Sequence, residues 1–175
     1  MWTTPENDPR QTGNPQGELA TYREYLTYYR TTLTMKCEDL DAEQLARRSV
    51  PPSTMSLLGL VRHLASVENQ WFQRTLRGVD GRRLYRREDD RDWDFTGAVA
   101  DPAVVADAWA TWNREVAAAD AWLDDLAGDD LGREVSHHDG VVSVRDVLVH
   151  LVEEYARHLG HADLLRECID GRTGQ

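Results

Sequence analysis

One stretch limits the folds open to this chain more than any other. From Val147 to Leu165, alternating steps of four and three residues pick out Val147, Leu151, Glu154, His158, His161 and Leu165. Such spacings return to one face of an α-helix, so these residues share a stripe. Large apolar residues begin and end the stripe, which directs it toward a core. Its middle is a carboxylate and two imidazoles. An ionised carboxylate taken out of water costs several kcal/mol unless a partner offsets it. The stripe therefore requires a cation facing Glu154.

Three more helical patterns precede this one. Helix A runs from about Gly17 to Leu40, with Leu19, Tyr22, Leu26, Tyr29, Leu33, Cys37 and Leu40 on a narrow apolar seam. Pro51-Pro52 then keeps any helix from running on. Helix B opens at Ser53 to Ser56, whose hydroxyls can cap free N–H groups, and ends near Gly78. Its seam is Leu57, Leu60, Leu64, Val67 and Trp71, with His63 on the shoulder. Helix C starts at Asp101-Pro102, a cap followed by proline in the first turn. Val105, Trp109, Trp112, Val116, Ala119, Leu123 and Leu126 carry its seam. Ser143 with Asp146 resembles a capping box for helix D, and Gly171 closes it.

Between helices B and C lies a polar connection, Gly78 to Ala100, with Arg82, Arg83, Arg86 and Arg87 followed by Glu88, Asp89 and Asp90. Its mixed charge reads as a solvated loop pinned to the body by Trp93 and Phe95. Its length spans a bundle, so helices B and C can be parallel neighbours. With no convincing strand and no repeat, the expected fold is all-α: a four-helix bundle with a long crossover between helices B and C. Residues 17–171 form one expected domain. Residues 1–16, polar and rich in Pro, Gly and Asn, are expected to be a disordered arm.

Composition excludes several functions. The net charge of -11 disfavours nucleic acid, which needs a basic face. No apolar run approaches a membrane span, and two cysteines without a close-spaced motif, Cys37 and Cys168, suit a reducing cytoplasm. A homodimer is compatible with all of this.

The cation facing Glu154 can be of three kinds. No arginine occupies a seam position in helices A, B or C, and Arg62 and Arg157 are expected to point outward. A protonated His158 one turn away can pair with Glu154, which leaves His161 and His63 unexplained. A divalent metal accounts for all of them: Glu154 and His158 converge from helix D, and His63 comes from helix B. Imidazole and carboxylate suit zinc first and nickel second, and three protein ligands leave a position for water or substrate. His161 is either a fourth ligand or an acid/base group facing substrate. His150 is a partner behind the ligands or a surface residue, while His137 and His138 read as surface turn residues.

The helix B segment Pro-Pro-Ser-Thr-Met-Ser-Leu-Leu-Gly-Leu-Val-Arg-His-Leu, followed by Glu68 and Trp71-Phe72, resembles the DinB-like superfamily. So does Glu-Tyr-Ala-Arg-His-Leu-Gly-His-Ala-Asp-Leu-Leu-Arg-Glu at residues 154–167. The resemblance is closest to an actinobacterial branch and covers the chain from about Gly17 onward. It implies a four-helix bundle with a crossover and a metal held by a helix B histidine, matching His63, and a pair on the last helix. Many members carry two histidines in that pair; here Glu154 and His158 stand, as in the similar mycothiol-dependent maleylpyruvate isomerases. The resemblance further implies metal-dependent use of a low-molecular-weight thiol, mycothiol foremost, in transfer to a small electrophile, the leading expectation, or in thiol-assisted isomerisation. In that role His63, Glu154 and His158 hold the metal and His161 orients substrate or moves a proton. A metal-dependent hydrolase and a metal-binding stress protein without turnover are the alternatives.

Overall fold

The computed structural model describes residues 4–10, 13–81, 83–138 and 140–174. It is mostly helical, with one small antiparallel sheet. Four long segments dominate: α1 (Glu18–Cys37), α3 (Leu57–Glu68) with its continuation Asn69–Leu76, α5 (Pro102–Asp124) and α6 (Val144–Asp170). Short helices α2 (Ala42–Ala46) and α4 (Trp93–Thr96) lie in the first two connections. The third connection holds a turn of 3-10 helix and strands β1 (Glu134–His137) and β2 (Gly140–Ser143).

Local chemistry sets the helix ends. Ser56 accepts from the Gly59 N–H at the start of α3, and Asp101 accepts from the Ala103 N–H ahead of Pro102 in α5. Ser143 and Asp146 form the expected capping box of α6, and Gly171 stops that helix in the left-handed conformation, φ 78°.

Cross-helix pairs give the relative directions. Glu18 with Arg145 and Lys36 with Asp163 advance together, so α1 and α6 are parallel. Asn69 with Glu115 and Phe72 with Trp122 also advance together, so α3 and α5 are parallel. Trp71 with His150 and His63 with His158 run in opposite senses, so α3 and α6 are antiparallel. Parallel neighbours cannot be joined by a tight turn, and the long segment from Arg77 to Asp101 makes the connection.

Leu26, Leu33, Leu57, Leu60, Leu64, Leu123, Val147 and Leu151 are almost wholly buried in one core shared by the four long segments. That core also contains charge. Arg30 grips Glu68 with two hydrogen bonds, 2.8 and 2.9 Å, and reaches Asp120 at 2.7 Å. Tyr155 donates to Glu68 at 2.7 Å and accepts from the Trp112 indole at 3.0 Å. Glu68 is 0 % exposed. Every oxygen of this carboxylate is engaged, which is what makes a buried charge tolerable.

Four expectations need correction. The hairpin at 134–143 was not legible as strands: Val135 pairs with Val142, but each strand has only four residues, two of them exposed and none fully buried. Trp71 joins the helix B seam only at its margin, half-buried against the core. From Asn69 to Leu76 the helix widens to π winding, the Arg77 N–H bonding to the Phe72 carbonyl. Phe72 continues the buried face of Val61, Ala65 and Glu68, while Trp71 packs against the core at its edge. Arg30 is buried where no seam arginine was expected, and Arg62 is buried instead of pointing outward. The guanidinium of Arg62 donates to the Trp93 and Asp94 carbonyls and lies 4.0 Å from the Tyr85 ring centroid, so it clamps the crossover onto α3.

Of the arm expected to be disordered, residues 1–3, 11 and 12 lie outside the described residues. Within the rest, Pro5–Asn7 form a 3-10 turn, and Arg10 pairs with Asp8 and lies over Tyr28.

Candidate metal centre and its cavity

α3 and α6 bring His63, Glu154 and His158 together, with one donor atom of each within 4.8 Å of the others. The inward oxygen of Glu154, Oε2, lies 3.3 Å from His158 Nε2 and 3.7 Å from His63 Nε2. A metal with bonds of about 2.1 Å needs donors about 3–3.5 Å apart, so the Glu154–His158 separation already suits one ion and the Glu154–His63 separation lies just beyond it. His63 Nε2 is buried and has no hydrogen-bond partner among the described residues. An orphaned buried nitrogen aimed at a carboxylate and a second imidazole is a donor set that a divalent cation completes.

Each of these groups is held from behind. His63 Nδ1 meets Asp94 Oδ2 at 2.8 Å, so the carboxylate accepts the Nδ1 proton and turns Nε2 toward the centre. The Phe95 ring stacks on the same imidazole, centroids 5.3 Å apart. Gly59 makes that approach possible, because a Cβ there would stand 2.8 Å from Phe95 Cδ1. The outward oxygen of Glu154, Oε1, faces His150 Nε2 at 3.4 Å and Arg157 Nη1 at 3.8 Å. His158 turns Nε2 to Glu154, while its Nδ1 meets His161 Nδ1 at 3.3 Å.

The electrostatics follow from these neighbours. Burial disfavours charge on His63, but Asp94 and Glu154 outweigh it and raise its pKa to about 9. His158, then His63, hold the Glu154 carboxyl well below the usual carboxylate range against the opposing effect of burial. Burial and the facing His158 lower the His161 pKa.

His63 and Glu154 also line a cavity of ≈ 220 Å³, walled by Trp71, Tyr85, Asp94 and His150 among others. The Trp71 indole lies between His137, stacked at 4.8 Å, and His150, edge-on at 4.8 Å. His137, expected on a surface turn, thus braces the cavity wall from β1, while His138 is exposed as expected. Of the two roles open to His150, the one behind Glu154 matches its position. His161 stands behind His158 and does not line the cavity. Asp94 and Tyr85 escaped notice in the sequence because a loop carboxylate or phenol has no periodicity to mark it. Both cysteines are free, Cys37 buried with its pKa pushed up to about 12, and Cys168 exposed.

No helix of the described residues is long and apolar enough to cross a membrane. No curated protein matches the sequence. The fold is similar to that of a solved protein from Enterococcus faecalis described as the conserved protein of locus, with a TM-score of 0.69 and 14% identity, over 90% of this chain and 99% of that one. At that identity the likeness concerns the fold alone. The sequence itself matches the family described as mycothiol S-transferase over residues 21–171, most of its length. The chain therefore belongs to the mycothiol S-transferase family, a DinB-like family.

Proposed function

We propose that this protein is a cytoplasmic, metal-dependent S-transferase that joins a low-molecular-weight thiol, mycothiol, to a small electrophile. The observation that carries the reading is the convergence of His63, Glu154 and His158 beside a cavity, with the buried His63 Nε2 facing Glu154 without a hydrogen bond. We read the four long helices as a DinB-like four-helix bundle and residues 17–171 as one domain. His63, Glu154 and His158 are the ligands, with zinc the first expectation. A bound divalent ion would supply Lewis acidity that favours the thiolate over the thiol at neutral pH.

The chain's own groups have distinct tasks. Asp94 fixes the tautomer of His63, and His150 and Arg157 steady the outer oxygen of Glu154. His161, placed at His158 Nδ1, acts as a positioning residue for that imidazole. The thiolate sulfur then forms a bond to the electrophilic carbon while the leaving group departs with the bonding pair, and the thiol proton passes to solvent. Trp71 and Tyr85 give the electrophile an aromatic wall.

The test combines elemental analysis of protein purified without a metal-affinity tag with thiol consumption in the presence of mycothiol and a chlorobimane. About one metal per chain and chelator-sensitive consumption are expected. Stoichiometric metal without thiol consumption would reject the transferase reading. Loss of metal in neither His63→Ala nor His158→Ala would reject the ligand set.

A further inference from the structure

Resting on the transferase reading, we propose that Arg83, Arg86 and Arg91 form an anion subsite that selects an electrophile carrying a carboxylate or similar acid group. These residues line the cavity beside His63 and Glu154, and with Arg87 and Glu88 they also line the open groove of ≈ 680 Å³ next to it. The protein as a whole is acidic, at -11. Yet none of Arg83, Arg86, Arg87 and Arg91 forms an ion pair with any carboxylate of the described residues.

Two acidic residues of the same loop are turned to other uses, while Glu88 shares the groove without pairing with any of these arginines. Asp90 accepts from the Asp92 N–H and the Thr96 hydroxyl, and so shapes the loop itself. Asp94 is committed to His63. Arg87 lies with its guanidinium 3.5 Å from the Trp93 ring centroid, which anchors the arginine run to α4. Arg62 beneath it fastens the loop to α3. The result is an arginine-rich wall on a held loop, facing a cavity whose lining includes His63 and Glu154 of the candidate metal centre.

Arginine recognises planar acid groups through paired N–H donors, and unpaired guanidinium groups around a concave site are how such groups are selected. The thiol does not need them, since mycothiol offers hydroxyl and amide groups and no acid. The anion therefore belongs to the electrophile. A carboxylate at the arginine wall would direct the other end of a small molecule past Trp71 toward His63 and Glu154.

The test uses the full metal-loaded chain and two probes without a leaving group, 4-acetamidobenzoate and its methyl ester. Binding is followed by tryptophan fluorescence at low and high salt. The carboxylate should bind at least ~10-fold tighter than the ester, the preference should shrink with salt, and it should vanish in the triple variant Arg83→Ser, Arg86→Ser, Arg91→Ser. The triple arginine-to-lysine variant should restore part of it. Equal binding of acid and ester overturns the proposal. So does a preference kept by the serine variant, which would place the carboxylate on the metal. Coenzyme A, an anionic thiol, displacing the probe with higher affinity than the acid would move the charge to the thiol and overturn the assignment to the electrophile. Turnover is read separately with the two matching chloroacetamides and mycothiol: the S–C bond forms, chloride leaves with the C–Cl pair, and the thiol proton goes to buffer. An acid preference in binding without thiol consumption leaves the subsite standing and rejects the transferase reading; consumption of both chloroacetamides without an acid preference does the reverse.

Discussion

Protons and metal compete for the same nitrogen of His63. In the metal-free protein, Asp94 and Glu154 raise the His63 pKa to about 9. Only the neutral imidazole can coordinate, so apparent metal affinity scales with its unprotonated fraction. That fraction is roughly 1% at pH 7 and about half at pH 9, so affinity should rise ~50-fold over this interval. Competition against a chromophoric zinc chelator, corrected for the chelator's own protonation and for metal hydrolysis, measures it. At pH 7 binding should also release about one proton from His63, visible in an unbuffered titration with a pH indicator. Asp94→Asn separates the causes. Losing the partner carboxylate lowers the His63 pKa and flattens the rise between pH 7 and pH 9. At pH 9 the same variant should bind metal ~10–100-fold more weakly than the parent, because the ring loses its orienting partner. Equal affinity of the parent at pH 7 and pH 9 would refute the argument, since it would mean that His63 either carries no proton or is no ligand.

In metal-free protein the same raised pKa makes a contribution to stability that is complete below pH 6.5 and lost as pH rises through about 9, worth up to ~3 kcal/mol. The lowered pKa of Glu154 acts in the other direction: its contribution is present above pH 4.5 and lost as pH falls. Calorimetric melting of the metal-free chain should therefore show its maximum between about pH 5 and 6.5, and metal should abolish the alkaline decline; an unchanged Tm from pH 6.5 to 9.5 without metal would contradict this. Glu68→Gln breaks a buried pair, but Arg30 retains Asp120, so a loss near ~3 kcal/mol is expected, about 6–12 °C in Tm; a shift under about 1 °C would show that the network contributes nothing. Glu154→Leu should lose thiol-transfer activity and give a chain whose melting ignores chelators, whereas a persistent chelator effect would place the metal elsewhere. His161→Ala should lower metal affinity ~10-fold or more; full metal with no turnover would return His161 to the substrate side.

What could be read from the sequence was what a helix repeats. The four long segments, their caps and the Ser143–Asp146 box follow from local spacing, and so does the convergence of Glu154 with His158. Exact rotation was harder to read. The stripe drawn through Glu154 and His161 is centred in the structure on Leu151, Tyr155, His158 and Ala162, with Glu154 and His161 at its shoulders. A helix of 3.6 residues per turn does not keep to a three-four rhythm, and the drift moves the boundary by one residue. The π winding of Asn69–Leu76, the segment that carries Trp71 to the cavity wall, has no sequence mark. Nor has the crossover, where Arg62, Tyr85, Asp94 and the arginine wall act through contacts distant along the chain. A run of mixed charge looks solvated until the fold sets one sign against a cavity and uses the other to shape the loop.

The buried charges near the site have a use beyond their own pairing. Tyr155 follows Glu154 directly, and its hydroxyl is fixed to Glu68, five residues beyond His63 on the antiparallel helix. The Glu68–Tyr155 bond and the His63–Glu154–His158 cluster therefore pin α3 against α6 at neighbouring levels. A slide of one helical turn, about 5.4 Å, would leave Glu68 facing apolar side chains with its charge uncompensated. Apolar seams of leucine and valine tolerate such a slide far better, because one leucine packs much like the next. Arg30 adds a third helix and, through Asp120, a fourth to the same fixed point. The core charge thus sets the register of the helices, and the register sets the distance between His63 and Glu154 on which the metal centre depends.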